Sequence, residues 1–482
     1  MVDAAADVTG LSLVEVARLI ARRKLSSEEV TRACLVRIER YGGTLVAIAG
    51  CEPERALNQA RAADAAIARR RPTGRGDASL LGVPLAHKDM FYRQGRVSAC
   101  GSRIRAGFVP DRTAAALERL DSAGALDIAR LNMAEFALGV TGHNPVAGTP
   151  RNPWNPDFVT GGSSSGSGVA VAAGLAYGAL GSDTGGSIRF PAACCGIVGM
   201  KTTYGRVSRF GAMPLSYSLD TIGPLTRTVT DNALMLSVIA GFDARDPATS
   251  RLEVPDYLAT IEDGARGLRL GVPENHFLEP LTPEVRKLIE AAIEVFRRLG
   301  AEIVAVRVPD SIAVTNGMTT MITTTEGAAL HARWMRERPG DYGRQTLGRL
   351  VAGALTPATT YIEALNRRPA VLAEFMAAVF EAADVLVTPV MMGPVPTIAE
   401  SDVGANPGFA QTIFAMGHAT RPFNYLGLPG LSVPMGFTGN GLPSSFQLVG
   451  RPFDEATLYR AARAYERETG YTGKTPDLSK LT

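Results

Sequence analysis

Residues 158–200 read FVTGGSSSGSGVAVAAGLAYGALGSDTGGSIRFPAACCGIVGM. Two glycine–serine clusters stand in this stretch, Gly161–Ser167 and Gly181–Ser187, joined by the small-residue segment Val169–Leu180. Glycine lets the backbone enter φ > 0 and lets a ligand approach the main chain. Serine supplies a hydroxyl that can attack or carry a proton. Two such loops joined by one packable segment are expected to meet at one site, and the chemistry they offer is hydrolytic.

Outward from this stretch the chain alternates helix and strand. Ser12 with Glu15 and Ser26 with Glu29 fit the capping box, so two helices are expected over residues 12–41. A short strand is expected at 45–49, an alanine-rich helix at 53–71 and a surface loop at 71–79. The run Leu80–Asp89 is apolar until His87-Lys88-Asp89 and reads as a buried strand ending in charge. Helix 113–123 and strand 125–131 follow. Residues 202–225 read mostly as loop, then helix 231–240. Strand 267–273, amphipathic helix 283–299 and strand 301–306 form a strand–helix–strand unit, the signature of parallel α/β architecture. Helices are expected over 312–380, strands at 384–389, 431–434 and 445–449, and a closing helix at 455–469. No repeat and no low-complexity linker interrupts the chain. The expected fold is α/β, with a large mixed, mostly parallel twisted β-sheet covered by helices on both faces. One domain is expected over 1–482, with N-terminal helices at 12–71, a core at about 80–230 and a variable pocket segment at about 310–425.

Composition narrows the function. Of 482 residues, 46% are hydrophobic and 20% charged, as in an ordinary globular enzyme. The net charge of +3 names no strongly charged partner. Arg69-Arg70-Arg71 ends a helical pattern, where the dipole favours cations, so it is not read as a nucleic-acid patch. Five cysteines suggest no disulfide framework, and Cys194-Cys195 reads as small buried packing. The five histidines show no metal spacing. No metal or other cofactor is expected. The N-terminus lacks a basic, then apolar, leader, and no run of about 18 apolar residues occurs. The expectation is a cytoplasmic protein with no membrane and no nucleic-acid partner, acting on a small molecule, with a homodimer left open.

Three chemistries compete for the serines. Gly162-Ser163-Ser164-Ser165-Gly166 matches G-x-S-x-G, which would make Ser164 the nucleophile of an esterase-type α/β-hydrolase. That elbow needs a strand directly before it, whereas the turn sequence Asn152–Asp157 stands there. A phosphate loop would need G-x-x-x-x-G-K-[ST] or a placed G-x-G-x-x-G, and neither occurs. The third arrangement is serine–serine–lysine. A buried, uncharged lysine can act as a base, a serine can relay the proton, and a turn such as Thr184–Ser187 can offer N–H groups to an oxyanion.

The segments GVPLAHKD, TPRNPWNP, GGSSSGSGVAVAAG, GSDTGGSIRFPAACCGIVGMKTTYGRVSR and NYLGLPGLSVP resemble those of the amidase signature family of serine hydrolases. The resemblance covers at least 82–227 and 423–450. Lys88 lies 75 residues before Ser163, and Ser187 lies 24 after it, which fits the family pattern. Ser165 stands where the family usually has glycine.

The resemblance implies a role for each residue. Ser187 would be the acylated nucleophile and Ser163 the proton relay, with a cis peptide bond before it. Lys88 would be the base and then the acid. The N–H groups of Thr184, Gly185, Gly186 and Ser187 would form the oxyanion hole. Ser164 would hold Lys88, with Asp183 and Arg189 in support. The reaction implied is cleavage of an amide, anilide or carbamate C–N bond. The pocket is expected from Phe91, Tyr92, Phe136, Thr141, Gly142, Phe414, Met416 and Phe423, whose apolar character would favour aryl or alkyl substrates. The alternative within the family is the glutaminase component of a tRNA-dependent amidotransferase. That component carries an acid for the substrate's amino group where this chain has Gly417, while Arg368 is a weak match for its carboxylate-binding arginine.

Overall fold

The computed structural model describes residues 8–69, 80–402, 404 and 406–481. The expected loop at 71–79 and the last two residues of the expected helix 53–71 lie outside them. One sheet carries eleven strands among the described residues: β1 Ile48–Cys51, β2 Pro84–Lys88, β3 Leu126–Leu131, β4 Gly178–Asp183, β5 Val198–Lys201, β6 Thr221–Thr226, β7 Arg269–Pro273, β8 Glu302–Val306, β9 Val385–Pro389, β10 Gly430–Phe437 and β11 Pro443–Val449. Their spatial order is β1-β3-β2-β4-β6-β5-β10-β11-β9-β7-β8.

The mixed sheet under helical cover is as expected, but the balance of strand directions needs correction. Four pairings are parallel and six antiparallel. Parallel pairs occur where a helix returns the chain, as between β2 and β3 or β7 and β8. The centre is antiparallel instead: β10 and β11 form a hairpin, and β6 pairs with both β4 and β5. Strand β6 falls inside the stretch expected to be loop. Its sequence, TIGPLT, contains both residues that weaken strands, glycine and proline. It becomes a strand because β4 and β5 flank it in a wholly buried layer. The first strand begins three residues later than expected, because the helix Ser27–Leu45 runs on through Gly42-Gly43.

Both N-terminal capping boxes form: Ser12 and Ser26 each accept from the N–H three residues on, and the glutamate there returns the bond. These caps satisfy helix-end donors that have no partner within the helix.

The quoted stretch folds as a loop, the helix Ser165–Ala172, strand β4, a turn and the helix Arg189–Cys195. Every residue of both helices is buried. Small side chains are required there: a Cβ added to Gly166 would lie 2.5 Å from the Asn132 carbonyl oxygen, and one on Gly168 2.9 Å from Pro191 Cβ. Strands β2 and β4 are parallel neighbours, His87 pairing with Leu180. Their carboxyl ends therefore place Lys88 beside Ser182 and Asp183, the edge at which α/β sheets bind ligands.

Candidate active site

Lys88 ends a strand whose five residues are all buried. Its Nζ lies 2.7 Å from Ser163 Oγ and 2.9 Å from Ser182 Oγ. Burial lowers its pKa to about 7, and Asp220 and Asp183 offset only part of that effect. A solvent-free pocket disfavours the ammonium more than these carboxylates restore it. The Gly162–Ser163 peptide bond is cis, as the resemblance implies.

Ser182 takes the place expected for Ser164. Ser164 instead bonds the backbone of residue 182, its Oγ donating to the carbonyl at 3.3 Å and accepting from the N–H at 3.3 Å. It is fully buried ahead of its helix, so the elbow geometry that would make it a nucleophile does not form. Ser182 was legible only as part of a GSDTGGS loop; its contact with Lys88 depends on the register of β2 with β4.

Asp183 and Arg189 form a fully buried pair at 3.0 Å. Burial alone would raise the Asp183 pKa, but the Arg189 guanidinium and the groups around it hold it well below the usual carboxylate range. Its Oδ1 accepts from the Gly186 N–H at 2.7 Å and its Oδ2 from the Ile188 N–H at 3.1 Å. Arg189 also donates to the Thr420 carbonyl, Gln447 Oε1 and Asn424 Oδ1. The pair therefore ties the turn 184–188 to the late segment 420–447. Asn424 opens the NYLGLPGLSVP segment, whereas Thr420 and Gln447 lie in no motif that sequence reasoning used.

The oxyanion turn differs from expectation at one position. The Gly186 N–H is consumed by Asp183, and Gly186 lies at φ +126°. The N–H groups of Thr184, Gly185 and Ser187 have no hydrogen-bond partner among the described residues. Their three residues line the same cavity, and Gly186 does not. Thr184 is fixed by its hydroxyl, which donates to Asp220 Oδ1 at 2.6 Å. No hydrogen bond joins Ser187 Oγ to Ser163 Oγ; a side-chain rotation or a water has to close the relay, and catalytic bonds are commonly loose before substrate binds.

The cavity at Ser187 is a narrow void of about 30 Å³, about one water's share of space. One wall is Ala137–Val140 with Leu215; the other is Thr319, Thr320, Thr323, Arg349 and Arg421. Thr319, Thr320, Thr323, Arg349 and Arg421 belong to the segment 310–425. None of the eight expected residues lines this void. Phe91 bridges to Ala212, and the Tyr92 hydroxyl accepts from Arg105. Phe136 packs edge-on against His331 at 4.3 Å and stacks with Trp334. Thr141 accepts from the His143 N–H. Gly142 packs on Thr160 and Gly161, where an added Cβ would collide. Phe414 is 56% exposed, Met416 lines a separate cavity with Met391 and Met392, and Phe423 stacks on Phe277 in the core. These aromatics were expected at the site because they are large and apolar, and for the same reason the core takes most of them. Arg368 is also elsewhere, donating to the Ser218 carbonyl at 2.8 Å.

The amidase family model matches residues 29–459. The chain belongs to the amidase signature family. It is 39% identical to a subunit of the glutamyl-tRNA(Gln) amidotransferase of Geobacter metallireducens, over 96% of this chain and 98% of the relative. Among solved structures it is similar to a protein from a vestigial complex bearing on the evolutionary origins of an s-triazine catabolic enzyme. That match has 33% identity and a TM-score of 0.87, covering 95% of this chain and 99% of that one. It is similar also to the peptide amidase PAM complexed with chymostatin, at 31% identity and a TM-score of 0.84, covering 97% and 99%. Members of this family act on amide C–N bonds, and the chain is an enzyme of that class. Among the described residues no helix is long and apolar enough to cross a membrane.

Proposed function

We infer that the chain is an amidohydrolase that cleaves a small amide through an acyl-enzyme on Ser187. The observation that carries this is Lys88, buried without an ion-pair partner and 2.7 Å from Ser163, beside a cavity that holds Ser187 and three unpartnered N–H groups. Neutral Lys88 accepts the Ser163 proton while Ser163 takes that of Ser187. The Ser187 oxygen bonds to the carbonyl carbon, and the developing oxyanion faces the N–H groups of Thr184, Gly185 and Ser187. The C–N bond breaks as the relay returns the proton to the leaving nitrogen. Water then attacks the ester by the reverse route, releasing the carboxylic acid and restoring Ser187. Fluorophosphonate labelling is expected to modify Ser187 and to vanish in Ser187→Ala. Labelling that survives this substitution, or amide hydrolysis that does, sinks the assignment.

A second reading has its own support. The curated relatives are named as one component of a glutamyl-tRNA(Gln) amidotransferase and match end to end. Overall similarity favours this reading, under which glutamine is the amide cleaved and partner proteins and tRNA receive the ammonia. The charge of the site favours the first, because Gly417 stands at the position of the acid that would hold glutamine's amino group. Glutamine turnover, measured with and without candidate partner proteins, separates the two. Turnover of glutamine with an efficiency above that of simple amides selects the amidotransferase reading.

A further inference from the structure

Asp220 is buried and immediately precedes strand β6. Strand β6 runs antiparallel to β4, with Thr221 opposite Asp183 and Ile222 opposite Ser182. That register brings Asp220 to the end of β4 that carries Ser182, the second hydrogen-bond partner of Lys88 Nζ. Asp220, Ser182 and Met90 line one cavity of about 300 Å³, which shares no lining residue with the void at Ser187. The lysine therefore has the catalytic void on one side and Asp220 on the other.

The carboxylate of Asp220 is held by three donors. Its Oδ1 accepts from the Thr184 hydroxyl at 2.6 Å. Its Oδ2 accepts from the N–H groups of Leu215 at 2.8 Å and Ser216 at 3.0 Å. Thr184 and Leu215 both line the void at Ser187, so one side chain fixes the oxyanion turn and part of the wall beside it. Backbone N–H groups only donate, which favours the ionised form of their acceptor. Burial raises the Asp220 pKa, and these donors act against it.

The charges around Lys88 and Asp220 are themselves answered, with one exception. Asp183 is paired with Arg189 at 3.0 Å. Arg209, which faces Asp220, is paired with Asp246 at 3.0 Å. Burial pushes the Cys100 thiol up to about 12, so it stays neutral beside the lysine. Asp220 makes no ion pair among the described residues. Its charge is thus left to act on Lys88, and it favours the ammonium more than Asp183 does. An anion held rigidly, beyond contact with the base, stabilises a cation as it forms and needs no reorganisation to do so.

We propose that Asp220 is a positioning residue of the catalytic base, which supports the ammonium formed on Lys88 and, through Thr184, holds the oxyanion turn. It rests on the Ser187 amidase reading. The proton passes from Ser187 to Ser163 and from Ser163 to Lys88; Asp220 neither gains nor loses one. The same carboxylate answers the positive charge on the base and fixes the donors that meet the negative charge on the substrate.

The test follows the rate of fluorophosphonate labelling of Ser187 in the full chain as a function of pH. Asp220→Asn should slow labelling at the alkaline plateau by about 10-fold or more and move the acidic limb down by about one pH unit, because the ammonium loses its anion. Thr184→Val removes the hydroxyl and keeps the charge. It should slow labelling by about 10-fold, leave the limb in place, and be rescued by Thr184→Ser. A limb that stays in place in Asp220→Asn overturns the proposal, since a merely structural carboxylate changes the rate alone. Asp220→Ser, smaller and neutral, is the second variant and is held to the same outcome. Melting curves read the coupling without any reaction. Asp220→Asn should lose more Tm at pH 6 than at pH 9, because the unsupported ammonium is carried below the folded pKa of Lys88 and shed above it. The difference should vanish when both chains carry Lys88→Met, and losses equal at the two pH values overturn the coupling. Wild type that fails to label at Ser187 overturns the amidase reading instead, and the melting cycle then decides the Asp220–Lys88 coupling alone.

Discussion

Lys88 Nζ sits 2.7 Å from Ser163 Oγ, although 75 residues separate them. Ser163 reaches the end of β2 from the loop ahead of the helix Ser165–Ala172, its carbonyl accepting from the Ala134 N–H just past β3 at 3.1 Å. The lysine has no carboxylate within ion-pair distance, so its burial is only partly offset, by the more distant Asp220 and Asp183, and this determines how the enzyme answers to pH. Its pKa falls from 10.5 to about 7. Activity should therefore rise as pH passes upward through about 7 and plateau above it. A kcat/KM profile with no acidic limb near 7 would contradict Lys88 as the base.

The same shift predicts a stability effect of known sign. Between pH 7 and 10.5 the unfolded chain holds the proton and the folded Lys88 does not, so stability rises with pH across that window. Below pH 7 the fold carries a buried ammonium at full cost. Lys88→Met should abolish hydrolysis yet raise Tm at pH 6, by more than it does at pH 10. Calorimetric scans at the two pH values measure the difference. A variant less stable than wild type at pH 6 would show that the two serine contacts outweigh desolvation.

Ser182 is expected to position Lys88 without itself reacting. Its hydroxyl, 2.9 Å from Nζ, can accept from the ammonium and so favours the charged form. Ser182→Ala should lower kcat about 10-fold and move the acidic limb of the profile to lower pH. A merely structural role would lower kcat and leave the limb in place.

The turn at 183–189 holds a second dependence. Gly186 lies at φ +126°, and an added Cβ would meet Phe190 Cε2 at 2.3 Å and Thr420 Oγ1 at 2.7 Å. Gly186→Ala must therefore displace the N–H groups on either side of it. A loss in kcat of about 100-fold or more is expected, the scale for a misplaced oxyanion donor. Asp183→Asn should be worse for folding, since it strands a buried guanidinium; breaking one partner of such a pair costs about 3–5 kcal/mol. Denaturant midpoints for both variants, beside kcat where they fold, check the two claims.

Much of this was legible before the structure. The glycine–serine clusters announced themselves because a close approach of backbone to substrate tolerates few other residues. The flanking helices showed their caps and periodicity. Lys88 was harder, and Lys201 shows why. It too ends a buried strand, and burial likewise lowers its pKa to about 7. Yet its Nζ donates to the carbonyls of Thr202 and Leu428 and touches no serine. Apart from the family resemblance, only tertiary placement tells one lysine from the other: β4 beside β2 brings Ser182 to Lys88, the loop before the helix Ser165–Ala172 brings Ser163, and both are long-range relations. Strand β6 was hidden for a related reason: its glycine and proline argue against a strand, and its neighbours override them. The pocket was hidden because aromatic size signals burial in general, whereas Arg349 and Arg421 reveal themselves by contacts they lack.

That lack makes the sharpest prediction a single substitution at Gly417. A side chain there would project onto the Arg421 guanidinium, the flexible end of its neighbour, at a backbone position with no positive-φ constraint. Gly417→Asp should therefore be accommodated by a small shift of Arg421 and should pair with it. The new ion pair neutralises half of the cationic wall from within. Gly417→Asp should therefore melt above Gly417→Asn at pH 7, Asn being the matched control that fills the same space without the charge. The gap should close as pH falls through the carboxylate range, because the paired aspartate's stabilisation is lost when it is protonated. Fluorophosphonate labelling of Ser187 should persist in both variants. Equal melting temperatures at pH 7 would mean that no ion pair forms, and would remove the charge argument for Arg421.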